Sequence, residues 1–283
     1  MRRSSSDRLG FTLVEALVAM LLSTLVVGLV TSVFLVQNEF YSDAVKKSAL
    51  HESVRGAVTL VSSQLRGVAS GGIVEAEADS VTYRTPLVIG GVCAVNAAET
   101  YLLLPMNGEG IDGADVSGYA VQDDTGTWTF TAATWASLYH SSGATPAQTC
   151  ALVGADTTRA LADFYRLDGL GASPPLQPGD LVMLYREMTL RLGTSGLDSV
   201  STALFTGPAG GTLTEFASGL TPGSSFQYLL PHPDYWKNRV PGGNKDRILS
   251  IRFSAYGAVP SSRVGRDSLT FNLTATVPLR NVN

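Results

Sequence analysis

The chain has 283 residues, 45% of them hydrophobic and 16% charged, with a formal net charge of −4. That balance excludes a disordered polyelectrolyte and a protein held on nucleic acid by bulk positive charge. Two cysteines, Cys93 and Cys150, are too few for a disulfide-framed miniature domain.

The first ten residues, MRRSSSDRLG, set Arg2, Arg3 and Arg8 against Asp7. From Phe11 to Val36 there follow 26 residues with no Lys, Arg, Asp, His or Pro, and Glu15 is the one ionisable side chain among them. As a helix this run is about 39 Å long, more than the roughly 30 Å hydrocarbon core of a bilayer, so it spans with some tilt. The basic residues place its start in the cytoplasm and the remainder outside. A secretory signal peptide also runs from basic to apolar. Its apolar core is about 7 to 15 residues and ends at a small-residue cleavage site. Here the run goes on to Val36 and enters QNEFYSDAVKK without an A-x-A site. A plain anchor would leave Glu15 unexplained, because a carboxylate costs about 2.5 to 3.5 kcal/mol at the bilayer centre on insertion scales. Near the interface the cost is smaller, and snorkelling is the simple alternative to a functional acid.

Beyond the apolar run the helical pattern continues. Leu50, Val54, Val58, Val61, Leu65 and Val68 are spaced as one helix face, with Lys46, Lys47, Glu52, Arg55, Gln64 and Arg66 mostly off it. No proline occurs before Pro86, and Gly71-Gly72 is a suitable stop. One helix is therefore expected from about Phe11 to about Ala69, half in lipid and half packed on a soluble domain.

The remainder reads as β-rich. DSLTFNLTATVPL puts Leu269, Phe271, Leu273, Ala275, Val277 and Leu279 on one side and Thr270, Asn272, Thr274 and Thr276 on the other. RILSIRFSAYG alternates likewise through Leu249, Ile251, Phe253 and Ala255. Further strands are expected in DSVTYRT, TYLLLP, GDLVMLYREMTLRL and SSFQYLL, separated by Gly- and Pro-rich loops such as SPPLQPG, GPAGG and VPGGN. The expected division is a leader over 1–10, a transmembrane helix over 11–36, an amphipathic helix over 37–70 and one β-rich domain over 71–283.

The candidate chemistry is sparse. His51, His140 and His232 lie far apart without metal spacing, and no HExxH, GxSxG or P-loop occurs, so neither catalysis nor a cofactor is expected. Asp112, Asp115, Asp123 and Asp124 offer oxygen ligands for calcium without EF-hand spacing, against the simpler reading of a solvated acidic loop. YWKNRVPGGNKDR is a local basic strip with Tyr235 and Trp236 beside it, read as a solvated loop and not as a nucleic-acid surface. Cys93 and Cys150 enclose 56 residues. An oxidising compartment would let them pair, stabilising the fold by about 2 to 4 kcal/mol, and two buried thiols are the alternative.

RLG followed by FTLVE resembles the class III signal of type IV prepilins and type II secretion pseudopilins: a short basic leader ending in Gly, an aromatic first mature residue, and Glu at the fifth mature position. The resemblance implies that prepilin peptidase cuts after Gly10 on the cytoplasmic face and methylates the new amine of Phe11. Removing the leader, whose side chains carry +2, would leave −6 on the mature chain. Glu15 is then an assembly residue that pairs with the Phe11 amine of a neighbouring subunit. The implied fold is α+β and pilin-like, one long N-terminal helix on an antiparallel-sheet domain.

YREMTLRL, FASGLTPGSSFQYL and SLTFNLTATVPLRN resemble the larger minor subunits of the PilW and GspJ type. The implied partners are prepilin peptidase, other major and minor pilins or pseudopilins, and the inner-membrane assembly platform. The implied location is the inner membrane, then a filament. A minor pilin that helps to initiate assembly, a secretion pseudopilin and a filament-tip adhesive subunit share this machinery.

Overall fold

The computed structural model describes residues 12–95, 101–105, 116–132, 138–140, 165–167, 176–197, 200–231, 235–262 and 268–279. Its first element is a single helix, α1 (Leu13–Leu65), 53 residues long and so about 80 Å from end to end. The expected face holds to the residue, since Leu50, Val54, Val58, Val61, Leu65 and Val68 are all buried, with Ala57 between them. The helix stops sooner than its hydrophobic period, which carries on to Val68. After Leu65 the chain turns, with the Val68 N–H donating to the Leu65 carbonyl at 3.2 Å. Gly71 then takes a φ of 74°, and a Cβ at Gly72 would lie 2.8 Å from the Ala69 carbonyl oxygen. That glycine pair shapes the turn into the sheet instead of ending the helix.

Fourteen strands follow among the described residues. They are β1 (Ile73–Ala76), β2 (Ser80–Val95), β3 (Tyr101–Pro105), β4 (Gly118–Gln122), β5 (Trp128–Ala132), β6 (Leu138–His140) and β7 (Tyr165–Leu167). Then come β8 (Leu181–Thr194), β9 (Thr202–Pro208), β10 (Thr214–Leu220), β11 (Ser225–Leu230), β12 (Tyr235–Lys237), β13 (Ser250–Pro260) and β14 (Ser268–Pro278). A 3-10 helix, Gly242–Arg247, lies where VPGGN was expected to form a loop. One sheet runs β12-β11-β13-β10-β9-β8-β2-β3-β7-β6, with β1 on β2, β14 on β13, β4 on β8 and β5 on β4. The fold is α+β: a long apolar N-terminal helix followed by an antiparallel β-rich domain.

By contacts the chain forms two units, Met1–Leu50 with Val259–Thr270, and His51–Ala258 with Phe271–Asn283. In the second, β2 and β8 are the central ladder. Val81 opposes Leu190 and Tyr83 opposes Met188, while Thr82 opposes Thr189 and Arg84 opposes Glu187. Period-2 alternation sends Val81, Tyr83, Leu190 and Leu192 into the core and leaves the Thr and charged pairs on the other face. Phe226 and Phe253 stack in that core with ring centroids 4.9 Å apart. The last turns of α1 close it: Ser53 Oγ donates to the Ser218 carbonyl at 2.6 Å, and the Tyr83 hydroxyl donates to Gln64. On the opposite face Arg84 binds Glu187 at 3.2 Å and lies over the rings of Phe130 and Tyr185, 4.7 and 5.2 Å from their centroids.

Two tyrosines make this core sensitive to alkali. Burial holds the hydroxyls of Tyr83 and Tyr228 well above the ordinary phenol value of 10.0; Tyr228 also faces the carboxylates of Glu77 and Asp79. The unfolded chain therefore loses these protons at a lower pH than the folded chain. Their contribution is complete below about pH 10 and is lost as pH rises beyond it. We expect the melting temperature to fall above about pH 10, and less steeply in a Tyr83→Phe, Tyr228→Phe double variant, when thermal unfolding is followed across an alkaline pH series.

Candidate functional site

The chain's most distinctive chemistry is at its amino end. Thr12 precedes the first helical residue, and its Oγ1 accepts the Glu15 N–H at 3.3 Å. Thr-x-x-Glu is the spacing of a capping box, in which the threonine serves an orphan N–H of the first turn and an acid three residues on favours the helix start. This helix-start role for Glu15 was legible in TLVE and is absent from a reading by hydropathy alone. The Glu15 side chain itself is exposed.

Above it the apolar surface has no protein cover. Leu13, Val14, Leu17, Met20, Leu29 and Phe34 are between 60 and 78% exposed. The most apolar window of α1 has none of its residues buried, and α1 is the one helix among the described residues long and apolar enough to cross a membrane. An isolated soluble domain rarely leaves so long an apolar stretch bare. Such a helix fits a single-pass membrane anchor.

Its polar groups are satisfied from within. Ser23 Oγ donates to the Ala19 carbonyl, Thr24 Oγ1 to Leu21, Thr31 Oγ1 to Val27 and Ser32 Oγ to Leu29, all at 2.7 to 2.8 Å.

Just past the apolar run, Asp43 is buried, 7% exposed. Its carboxylate accepts the Ser261 hydroxyl at 2.8 Å and the Ser262 N–H at 2.6 Å. Lys46 Nζ donates to Ser262 Oγ at 2.7 Å, and the hydroxyls of Ser42 and Ser262 are 2.9 Å apart. These contacts fasten the start of the β13–β14 connection to one side of α1. Sequence pattern did not point to Asp43, because its partners lie more than two hundred residues away.

The other expected site residues are placed as follows. Gly10, Phe11, Cys150, Asp112, Asp115 and His232 lie outside the described residues; Cys93 is on β2, whose backbone alone is described at that point, and His140 is likewise on β6. Asp123 shapes the β4–β5 turn. Its Oδ1 accepts the Thr125 hydroxyl at 2.6 Å and the N–H groups of Thr125 and Thr127 at 2.9 and 2.8 Å, and those hydrogen bonds lower its pKa. Asp124 is exposed beside it.

His51 stacks on Phe271 with centroids 3.9 Å apart. Among the described residues no three His, Cys, Asp or Glu side chains gather to hold a metal ion. In the basic strip, Arg239 binds Glu77 at 2.9 Å and Lys245 donates to the Val74 carbonyl, while Arg252 of β13 lies 3.7 Å over the strip's Trp236 ring. Those three cations are engaged by the protein's own groups.

A capped apolar helix followed by an antiparallel β-rich domain is a pilin-like arrangement. Residues 5–31 match the family described as the prokaryotic N-terminal methylation motif, the prepilin-type signal. That signal supports a pilin-like subunit of the kind that prepilin peptidase processes. No curated protein and no solved structure matches the chain.

Proposed function

We propose that the chain is a minor pilin-like subunit of a type IV pilus or related filament, helping to initiate or prime its assembly. In this reading 1–10 is the leader, 11–36 the membrane helix, 37–70 its amphipathic continuation, helical as far as Leu65, and 71–283 the periplasmic domain. Prepilin peptidase removes the leader after Gly10 and methylates Phe11. Glu15 then faces the Phe11 amine of a neighbouring subunit. The observation that carries the reading is the conjunction of the methylation motif at residues 5–31 with an uncovered apolar helix starting at Leu13.

The length of the β-rich part supports a large minor subunit over a repeating major one. Assembly follows from ordinary forces: the exposed leucines and valines associate with other apolar helices in lipid, and one acid selects the stagger.

Processing is the direct test. Intact-mass spectrometry of protein extracted from membranes of cells containing prepilin peptidase should give a chain beginning at Phe11 with one added methyl group. A mature start near residue 40, or an uncut Met1 chain in those cells, would overturn the proposal. Replacing Gly10 by a bulkier residue should leave the leader attached.

A further inference from the structure

We propose that β14 is a docking edge for a second copy of this chain, which adds its own β14 antiparallel to it along Phe271–Val277. The inference does not depend on the filament reading.

Among the described residues β14 pairs with β13 alone, and no described strand covers its other edge. The short end strands β6 and β12 have three residues each, and β12 carries Lys237, which are ordinary ways of blunting an edge. β14 has eleven residues, SLTFNLTATVP, with no charge anywhere along it and proline only at its end. Its exposed positions alternate strictly with partly buried ones from Ser268 to Thr276.

The backbone sets which groups face outward. The Leu279 N–H donates to the Leu249 carbonyl at 3.0 Å, and Thr274 Oγ1 is 3.3 Å from Ser254 Oγ, which agree on one register against β13. Alternation from Leu279 turns the odd-numbered backbone groups toward β13 and those of Asn272, Thr274 and Thr276 toward the open edge. Pro278 then falls on the open side, where its missing N–H costs no ladder bond.

The occupant follows from self-complementarity. An antiparallel copy centred on Thr274 places Asn272 opposite Thr276 and Thr274 opposite itself, all with outward backbone groups. On the other face Phe271 meets Val277 and Leu273 meets Ala275, a larger side chain against a smaller one in each pair. No like charges meet, and two-fold pairing of one strand with itself is the usual closed form of such a contact.

The test uses the full chain in its native membrane. Residues paired across an antiparallel ladder have Cα atoms about 5.5 Å apart, within disulfide range. Thr274→Cys should give a covalent homodimer on mild oxidation, in roughly tenfold greater yield than Thr129→Cys on the exposed face of β5, both with the native cysteines retained. Thr274→Lys, which sets two cations opposite each other, should lower dimer recovered by amine crosslinking about tenfold while the melting temperature holds. Equal yields from the two cysteine variants, capture of a different protein at Thr274→Cys, or an undiminished dimer in Thr274→Lys would each overturn the proposal.

Discussion

Glu15→Val should insert and be processed normally yet be excluded from the filament, with incorporation falling at least roughly tenfold; a charge pair at 4 Å supplies about 4 kcal/mol at a protein-like effective dielectric. The substitution removes the one costly group from the apolar segment, so insertion itself should not suffer. What is lost is the choice of stagger. Apolar helices in lipid touch about equally well at many offsets, whereas a desolvated acid and amine reward one.

The capping box supplies the control. Glu15→Gln keeps the Thr-x-x-Gln spacing that caps a helix but removes the charge. If Glu15 acts only on its own helix, the glutamine variant should assemble normally. If it acts on a neighbour, both variants should fail together. Co-purification with the other pilins and a filament count, in a strain lacking the natural copy, distinguish the two outcomes. Normal incorporation of the valine variant would end the pairing proposal.

Gly118→Ala should be the most damaging single-methyl change in the sheet. Gly118 is paired on both sides, opposite Ala132 of β5 and Tyr185 of β8. A Cβ there would lie 2.3 Å from the Thr131 carbonyl oxygen, 2.5 Å from the Tyr185 hydroxyl oxygen and 2.7 Å from its Cζ. That carbonyl accepts the Tyr185 hydroxyl at 3.1 Å, so relief requires shifting a strand or turning a buried ring that also supports Arg84. Overpacking of this kind costs about 3 kcal/mol, which corresponds to about 6 to 12 °C of melting temperature in a chain of this size. Gly242→Ala, where no atom lies within 4 Å of the added Cβ, should melt with the native protein. Thermal unfolding of the three full-length proteins in detergent decides the matter. A Gly118→Ala protein as stable as the native one would mean that β4 can slide away from Tyr185.

How much of this was legible in the sequence depended on how long each pattern persisted. The face from Leu50 to Val68 repeats over five turns, and all six residues are buried. β14 alternates over its full length, and the strand and its exposed side both follow from that. β2, β3, β8, β11 and β13 were likewise marked by apolar runs or alternation. The remaining strands were not, because each is short or mixed. GYAVQ and WTFTA are five residues each, and TEFASGL has a glycine where a core residue would be expected.

At the site, the expectations for Gly10, Phe11 and Glu15 could be read from a local string that needs no tertiary information. Asp43 could not, since its meaning resides in Ser261 and Ser262. The end of α1 was misplaced for a related reason. The periodicity counted Val68, and a buried residue in a turn keeps the phase of the helix it follows.

The four hydroxyls of the apolar segment beyond its capping Thr12 have a mechanical consequence. Because Ser23, Thr24, Thr31 and Ser32 are each bonded to their own helix, moving this segment from lipid into a bundle of similar helices breaks no hydrogen bond and makes none obligatory. For the side of such a rod, a membrane and a packed filament interior are nearly the same solvent. In the filament role proposed above, it would be drawn lengthwise from one to the other with little resistance, with Glu15 at the trailing end setting where the travel stops.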